Sequence, residues 1–90
     1  MTKEKTKEEV QSKEKTSEKK QIVIYNDDVN TFDWVIECLM EICNHEYIQA
    51  YQCANIIHNN KKCSVKGGTF EELEPICLQL LNRQLSAVIE

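Results

Sequence analysis

Ninety residues are enough for one domain and no more. From Gln21 onward ten carboxylates (Asp27, Asp28, Asp33, Glu37, Glu41, Glu46, Glu71, Glu72, Glu74, Glu90) stand against four cations (Lys61, Lys62, Lys66, Arg83), which excludes a nucleic-acid face, because neutralising phosphate takes basic residues. No stretch approaches the roughly 20 apolar residues of a membrane span, and the start lacks the apolar centre of a signal peptide, so a cytoplasmic protein is expected.

Residues 1–20 hold seven Lys, five Glu and a single aliphatic, Val10. Such a segment buries too little apolar surface to offset its ordering entropy, so it is expected to be a disordered extension, with the folded domain over 21–90. Its Lys and Glu are intermixed, which argues against a nucleic-acid arm. Ile22 to Tyr25 is β-branched and too short for a helix, and is expected to be the first strand. Asn26-Asp27-Asp28-Val29-Asn30-Thr31 then falls where strand hands over to helix. Asn30 or Thr31 can cap that helix, with Asp33 in its first turn.

Phe32, Val35, Ile36, Leu39, Met40 and Cys43 recur at helical spacing and make one apolar face. Asn44 ends this helix or caps the next. A second helix is predicted from about Glu46 to Asn59, with a face of Tyr47, Ala50, Tyr51, Ala54, Ile57 and His58. Its small residues at 50 and 54 let a neighbour approach, and Asn59-Asn60 are its stop. Lys62 to Lys66 reads as a second strand and Gly67-Gly68 as a turn.

Thr69 with Glu72 three residues on has the capping-box arrangement. Phe70, Leu73, Cys77, Leu80 and Leu81 line a third helix, in which Pro75 is expected to distort the first turn. Leu85, Ala87 and Ile89 alternate with Ser86, Val88 and Glu90, as in an edge strand. The expected fold is α+β: a three-stranded antiparallel sheet with three helices packed on it, in β-α-α-β-α-β order.

The polar cluster after the first strand has plain explanations. Asn26-Asp27-Asp28 can serve only as turn and cap residues, and His58 can satisfy the last carbonyls of its helix. A calcium loop is excluded, since no Gly or distant Glu follows at the required spacing. Five cysteines without C-x-x-C spacing (Cys38, Cys43, Cys53, Cys63, Cys77) read as small buried thiols. A metal site from Cys38, Cys43, His45, Cys53 and His58 lacks paired ligands at usual zinc spacing. A thiol enzyme using Cys53 with His58 is disfavoured because residues five apart point about 140° apart on a helix. A structural interaction module is a further alternative.

The run Ile22-Val23-Ile24-Tyr25-Asn26-Asp27-Asp28, then Phe32-Asp33-Trp34-Val35-Ile36, then His58 closing the second helix, resembles the ClpS family of adaptor proteins, over roughly residues 20–90. Family members bind destabilising N-terminal residues of proteins and hand those proteins to a Clp-type AAA+ unfoldase and its protease. The resemblance implies an adaptor and not an enzyme, without a cofactor and with no metal, expected as a monomer. Its partners would be a ClpA- or ClpC-like unfoldase and substrates beginning with Leu, Phe, Tyr or Trp.

By resemblance, Asn26, Asp27 and His58 hold the substrate's α-amino group, and Ile24, Asn30, Phe32, Val35, Ala54 and Ile57 form the pocket for its first side chain. The chemistry is consistent: an α-ammonium has three donors and a charge, and calls for acceptors and a carboxylate. Phe32 and Ala54 stand where members often have Met, and Lys61 where a Gly is usual after the His. The family's usual Lys on the third helix is missing near Ile76 and Cys77. Glu72 is the expected contact on the chaperone-binding face.

Overall fold

The computed structural model describes residues 18–90, with β1 (Lys19–Tyr25), α1 (Phe32–Ile42), α2 (Tyr47–Asn60), β2 (Lys62–Thr69), α3 (Phe70–Asn82) and β3 (Ser86–Ile89) in chain order. This is the expected β-α-α-β-α-β order, and the three strands form one antiparallel sheet. Of the extension expected over 1–20, residues 1–17 lie outside the described residues, whereas Lys19 and Lys20 belong to β1.

β1 occupies the centre of the sheet, between β2 and β3. Its apolar run explains the position, since Ile22, Val23 and Ile24 are all buried. The strand starts ahead of that run because Lys19, Lys20 and Gln21 pair with Thr69, Gly68 and Gly67. Gly67-Gly68 is therefore the far end of β2 and not a turn. Gly68 lies against the start of α3: a Cβ there would lie 2.7 Å from Oε1 of Glu72 and displace the end of that side chain. The change of direction falls on Thr69, which ends β2 and caps α3.

Between Ile22 and Val23 the β1–β2 register slips, so that Ile22 faces Lys66, Val23 faces Ser64, and Val65 is an extra residue. That bulge sends Val65 into the core. Its carbonyl accepts a hydrogen bond from Nε2 of buried His45 at 2.8 Å, which fixes the α1–α2 connection against the sheet.

α1 contributes Val35, Ile36, Cys38 and Leu39 to the core, α2 contributes Ala50, Cys53, Ala54 and Ile57, and α3 contributes Leu73, Cys77 and Leu80. The buried arcs are rotated from those expected. Met40, Tyr47, Tyr51, Phe70 and Leu81 are exposed, whereas the small thiols Cys38, Cys53 and Cys77 are buried. α3 runs unbroken through Pro75. Its first turn keeps both capping bonds, from Thr69 N–H to Glu72 Oε1 at 3.0 Å and from Glu72 N–H to Thr69 Oγ1 at 3.2 Å. The expected distortion is absent from the cap because Pro75 lies a turn further on, at an exposed position. No helix among the described residues is long and apolar enough to cross a membrane.

Candidate functional site

The loop from β1 to α1 is organised by one carboxylate. Asp27 Oδ1 accepts from the backbone N–H groups of Val29 and Asn30, each at 2.9 Å. Its Oδ2 accepts from Asn30 Nδ2 at 2.9 Å and from Ser86 Oγ at 3.1 Å. Burial alone would raise the pKa of this carboxyl, but the bonds from Asn30, Val29 and Ser86 together hold it below the ordinary carboxylate value. The second hydrogen of the Asn30 amide goes to the Gln84 carbonyl at 2.8 Å. Gln84 adopts a left-handed conformation, φ 73°, and so ties the loop to the turn before β3. Thr31 closes the loop as cap of α1, its Oγ1 accepting from Trp34 N–H at 3.1 Å.

The other half of the site comes from the end of α2. Lys61 takes the left-handed conformation, φ 81°, that usually calls for glycine, and its N–H donates to the Ile57 carbonyl at 3.0 Å. The turn thus has the geometry of a glycine cap built with a lysine. Its carbonyl, in turn, accepts from the Asn26 N–H at 2.8 Å. That bond fastens the end of β1 to the end of α2 and places Asn26 beside His58. Among the described residues neither the Asn26 amide nor the His58 ring has a side-chain hydrogen bond, and both are exposed.

Between these halves lie two adjoining clefts. One, of about 40 Å³, is lined by Asn26, Asn30, Thr31, Phe32, Val35, Ala54, Ile57 and His58. The other, of about 10 Å³, is lined by Ile24, Tyr25, Asn26, Asp27, Asn30, Val35, Ile57 and Leu85. All nine residues expected for amine and side-chain binding therefore border one or both clefts, with Asn26, Asn30, Val35 and Ile57 common to the two. The space suits water and not a branched or aromatic side chain. Phe32 stands at the edge, its ring 5.5 Å from that of Tyr51 in an edge-to-face arrangement. Glu72, expected at the chaperone face, is on α3 and uses Oε1 in the capping box.

Sequence reasoning did not anticipate Ser86, Gln84 or Leu85. Their signal is weak, because a Ser alternating with buried Leu85 and Ala87 reads as the solvent face of a strand. The β1–β3 register sets Ser86 opposite Tyr25 and so brings its hydroxyl within reach of Asp27.

The alternative chemistries find no support in the geometry. No three His, Cys, Asp or Glu side chains among the described residues gather where a metal ion could be held. Burial, reinforced by neighbouring Cys63, pushes the Cys53 thiol up to about 12, and burial pushes Cys43 up to about 11. A nucleophilic thiol needs the opposite shift.

Among curated protein sequences, none matches this chain. Eighteen chains of solved structures do, among them Agrobacterium tumefaciens ClpS2 bound to L-phenylalaninamide, with a TM-score of 0.76 at 14% identity, over 82% of this chain and 96% of that one. At that identity the likeness concerns the fold. The family profile described as "ATP-dependent Clp protease adaptor protein ClpS" matches residues 15–87. With four-fifths of its length covered by that profile, the chain belongs to the ClpS family of ATP-dependent Clp protease adaptor proteins.

Proposed function

We propose that this adaptor recognises proteins by a free, bulky apolar N-terminal residue, Leu, Phe, Tyr or Trp, and delivers them to a ClpA- or ClpC-like AAA+ unfoldase. The observation that carries the reading is the pair of uncommitted acceptors, on Asn26 and His58, held side by side by the Asn26–Lys61 backbone bond above an apolar floor of Val35, Ala54 and Ile57. An α-ammonium supplies the donors those acceptors lack.

Asp27 has a different part from that of a direct ligand. Both its oxygens are engaged within the protein, so it acts as a positioning residue, holding Asn30 and contributing negative charge near the bound amine. The pocket opens by rotation of Phe32 away from the cleft, after which the substrate's first side chain covers Val35, Ala54 and Ile57. Burying such a side chain contributes about 1.5–3 kcal/mol. Phe32 also crowds a β-branched first residue, so Ile and Val are disfavoured.

Delivery is assigned to other surfaces. Glu72 and its neighbours on the exposed side of α3 would contact the unfoldase, and the Lys- and Glu-rich residues 1–17 would engage it during handover. Binding of short Phe-initiated peptides, free or acetylated at the amine, tests the recognition step. Free peptides bind and acetylated ones do not; equal binding of both contradicts the reading.

A further inference from the structure

A second groove is wider than the cleft described above. It has a volume of about 350 Å³ and is lined by Asp33, Ile36, Glu37, Met40, Glu41 and Tyr47. Its apolar parts, Ile36, Met40 and Tyr47, lie where α1 meets the start of α2, and its rim carries three carboxylates of α1 at four-residue spacing, on one side of the helix. Glu41 pairs with Arg83 at 2.9 Å. Among the described residues, Asp33 and Glu37 have no cation within 4.0 Å.

A row of aromatic rings runs between the proposed amine site and the groove. Phe32 borders the cleft, its ring is 5.5 Å from Tyr51, Tyr51 is 6.2 Å from Tyr47, and Tyr47 lines the groove. Tyr51 and Tyr47 are both exposed, so the row is a surface track. A peptide whose first residue occupies the cleft and whose chain follows the track, at about 3.3 Å per extended residue, reaches the groove at about its fourth to sixth residue.

We infer that this groove is a second subsite for the same substrate chain, taking a Lys or Arg about four to six residues after the N-terminus. The long methylene stem of such a side chain lies on Ile36, Met40 and Tyr47 while its charged end reaches Asp33 and Glu37. The occupant is fixed by charge: a basic side chain complements the rim, an acidic one is repelled, and an apolar one leaves the carboxylates without a partner. This rests on the amine-recognition reading, because the N-terminal residue sets the register.

The test uses the full chain and a series of free-amine, Phe-initiated peptides of 14 residues carrying two Lys, two Ser or two Glu at positions 4 and 5, plus one with the two Lys moved to positions 12 and 13. Exposed ion pairs of this kind give a difference of about three- to tenfold between the Lys and Ser peptides at low salt, with the Glu peptide weakest. Moving the Lys pair outward removes the gain, and Glu37→Lys abolishes or inverts the order while binding of the Ser peptide persists. Equal binding of the Lys, Ser and Glu peptides, or a gain that survives Glu37→Lys or the move to positions 12 and 13, overturns the groove assignment and leaves amine recognition intact. Failure of every free-amine peptide to bind overturns both.

Discussion

The two halves of the cleft are built on opposite terms. On the β1–α1 side, Asp27 has four hydrogen bonds within the protein and Asn30 has given both amide hydrogens to Asp27 and Gln84. On the α2 side, the Asn26–Lys61 backbone bond joins Asn26 to the end of the helix that carries His58, and the side chains of Asn26 and His58 have no partner among the described residues. Polar groups that are already satisfied hold a shape, and groups left open at the edge of an apolar cleft are available to a ligand. The comparison separates side chains engaged within the fold from side chains left open to a ligand, a distinction invisible in a motif where Asn26 and Asp27 stand side by side.

Substituting the engaged carboxylate tests the comparison most severely. Asp27→Ala strands two backbone N–H groups, the Asn30 amide and the Ser86 hydroxyl, and is expected to destabilise the domain by about 2–3 kcal/mol while also weakening peptide binding. Urea unfolding measures this, and a variant as stable as the parent would remove the positioning role. His58→Ala is expected to do the reverse. Stability stays within about 0.5 kcal/mol, since the ring bonds to nothing described, while affinity for a Phe-initiated peptide falls by about tenfold, or ~1.4 kcal/mol. A calorimetric titration that finds full affinity would place the amine elsewhere.

Much of this was legible in the sequence. The strand at Ile22 to Tyr25, the cap at Thr31, the capping box of Thr69 and Glu72, and the element order all follow from short-range patterns that tertiary packing did not override. The ends of β2 were not legible, since Gly67-Gly68 carries a turn signal and is drawn into the sheet only because Lys19 to Gln21 extend β1 opposite it. The residues bordering the cleft could be named, but their division of labour could not, because it depends on Ser86 and Gln84, more than fifty residues from Asp27 in the chain.

Smaller effects sharpen the contrast. Lys61→Gly removes the strain of a left-handed non-glycine residue and is expected to raise stability by about 1 kcal/mol with the Asn26–Lys61 bond preserved; thermal unfolding reads the shift, and a loss of stability would mean that the lysine side chain matters more than its backbone. Asp27 also predicts a pH effect. Its pKa is lower folded than unfolded, so its contribution is fully present above about pH 4 and is lost as the pH falls through the lower, folded-state value. The unfolding midpoint of the parent should therefore fall more steeply below about pH 4 than that of Asp27→Asn; parallel acid limbs would contradict the assignment. At the cleft mouth, Phe32→Ala should admit Ile- and Val-initiated peptides that the parent rejects, and if the variant rejects them equally, Phe32 is not the gate.

The division between holding and binding is tested most directly by measuring unfolding and peptide affinity on the same preparation of the Asn26→Ala/His58→Ala double variant. The account predicts a urea midpoint close to that of the parent together with loss of binding to a free-amine, Phe-initiated peptide. Retained binding, or a domain destabilised as much as by Asp27→Ala, would contradict it.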